Sequence, residues 1–376
     1  MKIKIISIIS VSLFLVSTAQ VSAKVWRVNN NVGVNANFST MTAAMSGAAA
    51  GDTLYVEGSP TSYGAVTLSK KLVILGAGYF LSGAGNDTTQ ANPNPSTFGL
   101  LTISTGASGS VISGITVTAT STGNLVTVST NNITLSRCYF YYTTSLLSTS
   151  YSGTTVLISS GVTDVVISQC FIYQGRATSS TCGSNSYYTR ALDLEGSNSN
   201  IIVSNNIIKL YTKTAVTTCG TFYAILMATS SSAIFNNNVI IGSFVAYNSV
   251  VANNIQIIGG INGDYITSSS YPNVTQNNIG HSTQFGTTNG NKSSVSMSTV
   301  FMYTNSEDAD NHYRLKSGSP ALAAGQNGVD CGAFGGAMPY VLSGLPAIPT
   351  VFNATVPTTG TTSTGINVNT KAKARK

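Results

Sequence analysis

Ile201-Ile202-Val203-Ser204-Asn205-Asn206-Ile207-Ile208 decides how this chain folds, because the phrase returns as Ala233-Ile234-Phe235-Asn236-Asn237-Asn238-Val239-Ile240. Each copy is a short apolar run, a small polar residue, a polar residue, then Asn, then apolar again. Earlier copies carry Cys at the Asn position: Ile133-Thr134-Leu135-Ser136-Arg137-Cys138-Tyr139-Phe140 and Val165-Val166-Ile167-Ser168-Gln169-Cys170-Phe171-Ile172. Shorter copies end at Asn254-Ile255 and Asn278-Ile279, and Val111-Ile112-Ser113-Gly114-Ile115 is a degenerate first one. The marker positions 115, 138, 170, 206, 238, 254 and 278 are separated by 23, 32, 36, 32, 16 and 24 residues.

A constant phrase at irregular steps is hard to reconcile with a propeller or a helical solenoid, whose periods are tighter. It fits a stack of coils in which short strands keep their register while loops of any length leave from one corner. Another apolar strand precedes each copy, as at Leu125-Val126-Thr127-Val128 and Ala191-Leu192-Asp193-Leu194, so strand, turn, strand, turn makes one coil. The expected fold is all-β: a single-stranded right-handed parallel β-helix. Stacking at about 4.8 Å would place Asn205/Asn206, Asn237/Asn238 and Asn253/Asn254 in hydrogen-bonded ladders, a structural role for these asparagines.

A stack has two ends to cover. Phe38, Met41, Ala44/Met45 and Ala48 recur at helical spacing and stop at Gly51, which predicts a short N-terminal capping helix before a first coil opening at Gly51-Asp52-Thr53-Leu54-Tyr55-Val56. After Gly336, Pro339, Pro346, Pro349 and Pro357 punctuate an extended C-terminal strap, and Gly365–Ala374 alternates like a strand. The expected organisation is a signal peptide at 1–23, the β-helix with its cap at 24–336, and the strap with a basic tail at 337–376.

The signal peptide rests on Met1-Lys2-Ile3-Lys4, an apolar run from Ile5 to Val16, and the small residues Val21-Ser22-Ala23. It predicts export, to the periplasm, the cell surface or the medium. Beyond it no apolar stretch approaches the roughly 20 residues of a membrane helix. The chain of 376 residues is 42% hydrophobic and only 8% charged, with 18 Lys+Arg against 11 Asp+Glu. Two cations leave with the signal and four more, Lys371, Lys373, Arg375 and Lys376, lie in the last six residues, so 12 basic residues face 11 acidic ones in the body. A nearly neutral body has no basic stripe for phosphate neutralisation, which excludes nucleic acid as a partner.

The run Ala50-Gly51-Asp52-Thr53-Leu54-Tyr55-Val56, the Asn-Asn repeats and the closing Tyr313-Arg314-Leu315-Lys316-Ser317-Gly318-Ser319-Pro320-Ala321 with Asp330-Cys331-Gly332-Ala333-Phe334-Gly335 resemble secreted right-handed parallel β-helix proteins of the pectin-lyase-like superfamily, bacterial exported members above all. The resemblance spans about residues 25 to 340 and implies the fold more than an activity. Family hydrolases use paired Asp, a His-Gly and an Arg-x-Lys set; this chain has no Asp-Asp and no His-Gly, and its Arg314-Leu315-Lys316 lies in the closing phrase. His281 and His312 are not spaced as a metal pair.

Uronate lyase chemistry needs less: a Lys or Arg base and a cation, or Ca²⁺, to neutralise the substrate carboxylate. Between Lys71 and Lys292 the chain has five basic residues, and Arg176, Arg190, Lys209 and Lys213 fall in the long steps of the repeat, at about 141–155, 173–190 and 209–223. Tyr173, Tyr187, Tyr188 and Tyr211 accompany them, rings suited to stacking on sugars beside cations that hold carboxylates or sulfates. Asp193 and Glu195 alternate with inward Leu192 and Leu194 and would face outward beside this wall, a sparse pair for a metal. Cys182 and Cys219, both in Thr-Cys-Gly, are candidates for a disulfide across successive insertions. Cys138 and Cys170 would stack, bridged or simply packed, and Cys331 is left over. The expected function is binding of extracellular, anionic polysaccharide, or a structural role at the cell surface, without a cofactor; the alternative is a polysaccharide lyase, with Lys209, Lys213, Arg176 or Arg190 in the chemistry and Ca²⁺ as its cofactor.

Overall fold

The computed structural model describes residues 23–83, 90–120, 123–142, 151–175, 187–210, 220–257, 265–302, 309–357, 359, 363 and 365–373, with backbone alone at 151–152, 187–188 and 220–221. Residues 1–22, where a signal peptide is expected, and Arg176, Cys182, Tyr211, Lys213 and Cys219 lie outside the described residues. Three parallel sheets run the length of the molecule, and the chain visits them in turn. The first sheet has ten strands, from Val25–Val28 through Ile133–Ser136, Thr163–Ser168 and Ser199–Ser204 to Val274–Gln276. The second has eight, including Tyr139–Tyr142, Phe171–Gln174 and Ile207–Leu210, and the third has eight, including Tyr151–Ile158, Tyr187–Leu194 and Gly220–Met227. Each coil therefore has three strands, and the architecture is a right-handed parallel β-helix, the hand that parallel crossovers adopt.

Register is kept from coil to coil. Leu135 pairs with Ile167, Ile167 with Val203 and Val203 with Phe235, so equivalent side chains point inward at the same position of every coil. The second and third sheets supply Phe140, Ile172 and Ile208, and Ile158, Leu194 and Met227, all essentially inaccessible to water. A one-residue slip would turn this whole set outward, which is why the phrase is kept while the loops vary.

The repeated Asn-Asn resolves into two rows with different tasks. At the corner between the first and second sheets the leading residue takes a left-handed conformation: φ is 53° at Arg137, 55° at Gln169, Asn205 and Asn237, 57° at Asn253 and 53° at Asn277. Asn tolerates this conformation better than other residues with a Cβ. The second residue points inward and links the coils. Asn206 N–H donates to Asn238 Oδ1 at 3.0 Å, Asn238 N–H to Asn254 Oδ1 at 2.9 Å, and Asn254 N–H to Asn278 Oδ1 at 2.9 Å. Each side-chain amide also donates to a strand carbonyl, as Asn238 does to Val203 O at 2.8 Å. Asn291, in the loop beyond the last coil, ends the row by accepting from Asn278 N at 2.8 Å. At the other end Cys138 and Cys170 stand in the asparagine positions as free, buried thiols, donating to the carbonyls of Ser136 and Ser168 at 3.1 and 3.3 Å. They are packed, not bridged; burial, followed by the contact with Cys138, pushes the Cys170 thiol well above its usual range.

The capping helix spans Met41–Gly47, with Thr40 Oγ1 accepting from Ala43 N at 3.1 Å, and buries Met41 and Ala44 on the core. The first coil, however, does not open at Gly51. A strand at Val25–Val28 precedes the helix and pairs in parallel with Thr53–Val56. Asp52 joins the two by accepting from Lys24 N at 2.8 Å, Trp26 Nε1 at 2.7 Å and Ala49 N at 2.9 Å. This strand lacks the Asn marker and is followed by the polar Asn29-Asn30-Asn31, so the repeat does not reveal it.

The last strand of the solenoid is Ile279–Gly280. From there to Leu345 the chain turns back and covers the outer face of the second sheet, where Tyr139, Phe171, Ile207, Val239, Ile255 and Ile279 form a second core with Val300, Phe301, Ala321, Cys331, Ala333 and Tyr340. The corner row fixes its path. Asn277 donates to Ala324 O at 3.2 Å, Asn253 accepts from Gln326 N at 2.8 Å, and Asn237 donates to Asp330 O at 2.8 Å. Further along, Asn205 donates to Gly335 O at 2.7 Å, Gln169 to Pro339 O at 2.6 Å and Arg137 to Leu345 O at 3.0 Å. The strap thus runs from the last coil back towards the first, one or two residues of contact per coil. Beyond it Thr350–Thr355 and Asn369–Lys373 form a separate antiparallel pair.

Candidate functional site

The long steps of the repeat all fall at one corner, between the second and third sheets, where residues 143–150, 176–186 and 211–219 connect successive strands. The strands on either side pair directly: Phe171–Gln174 with Ile207–Leu210, and Tyr187–Leu194 with Gly220–Met227. In sequence, Arg176 and Lys213 fall in two successive connections, 176–186 and 211–219, outside the described residues. Lys209 and Arg190 themselves lie within strands, not in the insertions, and so do Tyr173, Tyr187 and Tyr188.

On the second-sheet side Tyr141, Tyr173 and Lys209 stand in register on the outer face. Tyr141 stacks on Tyr173 with centroids 5.3 Å apart and planes at 20°, and the Lys209 ammonium lies 4.7 Å from the centroid of Tyr173. Tyr173 is 1% exposed and Lys209 7%. They form a buried cation–π floor beside the strap, not open stacking platforms. Tyr142 points into the core and donates its hydroxyl to Gly123 O.

On the third-sheet side Arg190 lies in register with Thr154 and Tyr223 in the adjacent coils. Its Nη1 donates to Asp193 Oδ2 at 2.8 Å, with the Arg190 side chain 26% exposed and that of Asp193 7%. Burial pushes the Asp193 carboxyl up, Arg190 pulls it back, and Glu195 adds to the rise. Arg190 Nε is buried and has no acceptor among the described residues. An orphan guanidinium donor is unusual, because buried donors are almost always paired.

Glu195 accepts from Ser160 N at 3.0 Å. Asp193 and Glu195 are thus each committed to a separate partner, and calcium wants six or more oxygens, so the pair does not fit that ion. Among the described residues no group of three or more His, Cys, Asp or Glu is placed to hold a metal. His312 and Arg314 belong to the strap side of the second sheet, where Tyr313 packs on Phe171.

The sequence does not single out two further polar clusters. One is the row of corner residues that grips the strap, visible only as the position before each marker. The other is Asp310, fully buried, which accepts from Ser343 N at 2.7 Å and Tyr340 Oη at 3.3 Å while Tyr340 meets the Tyr79 hydroxyl.

No protein-family model matches the chain, and no curated protein matches it by sequence. Among solved structures it resembles pectate lyase Pel9A, with a TM-score of 0.52 and 12% identity over 84% of this chain and 97% of that one. The shared property is the fold. Rhamnogalacturonan lyase superposes more loosely, with a TM-score of 0.40 and 12% identity over 79% of this chain and 96% of that one, and no conclusion rests on it. Among the described residues no helix is long and apolar enough to cross a membrane.

Proposed function

We propose that this is an exported β-helix protein that binds an anionic extracellular polysaccharide at the corner between the second and third sheets. The observation that carries the reading is Arg190, a guanidinium 26% exposed in a strand beside that corner, with a buried Nε left without an acceptor among the described residues. Tyr223, in register with it, supplies a ring in the next coil. A carboxylate or sulfate of the ligand would meet the exposed part of the guanidinium in a charge-assisted contact.

The raised carboxyl of Asp193 next to Arg190 favours a second reading, β-elimination on a uronate polymer, in which a cation neutralises the substrate carboxylate while a basic group removes the adjacent proton. Incubation with pectate, alginate and glycosaminoglycans separates the two. Binding without new absorbance near about 235 nm is the expected outcome, since elimination leaves an unsaturated uronate. Arg190→Gln should weaken binding about ten- to a hundredfold, the range for one charge-assisted contact. No binding to any of the three polymers would refute the proposal.

A further inference from the structure

The strand pair after the strap is unlike the rest of the molecule. Every residue of Asn369–Lys373 is exposed, and of Thr350–Thr355 only Thr350 is half-buried. Ala91 N ties it to the body by donating to Val351 O at 3.0 Å, and a two-stranded ribbon so lightly held is marginal unless something covers it. Its two faces differ. Thr350, Asn353 and Thr355 stand opposite Lys373, Lys371 and Asn369, while Val351 stands opposite Ala372 and Ala354 opposite Thr370. One face is therefore polar and basic, and the other is made of small apolar groups. Alternation carried one residue further adds Val356 and Val368 to the apolar side. Val351, Val356 and Val368 are 42%, 57% and 53% exposed, and Phe352, at the register shift, is 38% exposed.

The charge is as one-sided as the faces. From Cys331 to Lys376 the chain has no Asp or Glu, whereas Lys371, Lys373, Arg375 and Lys376 follow each other within six residues. A polyanion in solution would explain the cations and leave the exposed Val and Phe side chains unexplained. An interface that combines anionic groups with an apolar layer uses both.

We propose that this strand pair holds the protein on a lipid surface with anionic headgroups, lying edge-on so that the apolar side chains of one face enter the headgroup boundary while Lys371 and Lys373 of the other meet the lipid charge. The site is separate from the glycan corner and stands whether or not that corner binds sugar. The test is co-sedimentation of the full chain with vesicles of phosphatidylcholine containing phosphatidylglycerol and with vesicles of phosphatidylcholine alone. Binding to the anionic vesicles alone, weakened by raising salt, is expected. Lys371→Gln with Lys373→Gln should lower it about 25-fold, at about fivefold per cation. Phe352→Ser with Val356→Ser should lower it about tenfold while the salt dependence persists. Arg190→Gln should leave it unchanged. Absence of vesicle binding, equal binding to neutral vesicles, or a serine variant that binds the anionic vesicles as well as the wild type would overturn the proposal.

Discussion

Replacing Asp310 by Asn should make the protein more stable at neutral pH and leave it unchanged in mild acid. Asp310 is fully buried under the strap, where Tyr340 and the Ser343 amide are donors to one of its oxygens. Burial raises its carboxyl to about 6 from an ordinary 3.8, with the Ser343 amide and the Tyr340 hydroxyl opposing the rise. The folded protein therefore holds this proton more tightly than the unfolded chain. Below about pH 4 both states are protonated; between there and about pH 6 only the unfolded state gives the proton up, and stability falls as pH rises. At about 1.4 kcal/mol per unit, the difference between 3.8 and about 6 comes to roughly 3 kcal/mol lost by pH 7. The amide introduced by Asp310→Asn would keep an acceptor for Ser343 N and carry no charge. Urea unfolding of the wild type and the variant, followed by circular dichroism from pH 4 to 7.5, isolates this group, because Asp52, Glu57 and Asp164, whose carboxyls are held low, shift both proteins alike. The gap between the two should open through pH 4 to 6 in favour of the variant. A gap independent of pH, or a variant less stable at pH 7, would refute the reasoning.

Two other expectations concern the asparagine rows. Asn238→Ala removes the acceptor for Asn206 N and the donor to Val203 O inside the core, and should lower unfolding free energy by about 2–4 kcal/mol in urea titrations, since the orphaned partners have no access to water. Asn205→Gly keeps the left-handed corner and loses the bonds to Ala333 O and Gly335 O, so amide exchange should quicken in the strap around 333–335 while the solenoid strands stay protected.

The parts of this fold that can be read in the sequence are those that repeat. The inward Asn or Cys recurs because every coil presents the same buried group to the next, and the apolar alternation recurs because every coil faces the same core. Val25–Val28 escapes this logic: a terminal strand has a neighbour on one side only, and its fixing point is Asp52, 28 residues beyond Lys24 in sequence. The strap escapes it for another reason. Its contacts are one-off pairings between corner residues and backbone carbonyls far away in the chain, as in Asn205 to Gly335, and carbonyls leave no trace in a sequence. The cation cluster was legible as composition, but its division into a buried floor at Lys209 and a part-exposed arm at Arg190 depends on which strand face each occupies, and that becomes visible only with the register of three sheets.

That division bears on where a long polymer could lie. A β-helix with three sheets has three outer faces, and here the second is filled along its length by residues between Gly280 and Leu345, with Tyr139, Phe171 and Ile207 closed over by Phe301, Ala333 and Tyr340. The first sheet presents an aliphatic row, with Val166 and Ile202 half-exposed and Ile234 and Val274 42% and 58% exposed, and its Arg27 is already paired with Glu57 at 2.5 Å. The third sheet presents Thr67, Thr102 and Thr127 in one outward column that continues, coil by coil, through Leu157 to Asp193, beside Arg190. Hydroxyls spaced by the coil repeat, leading to a part-exposed guanidinium, give this face both hydrogen bonds and charge for an anionic chain. The strap, by occupying the second sheet, closes that face to a ligand.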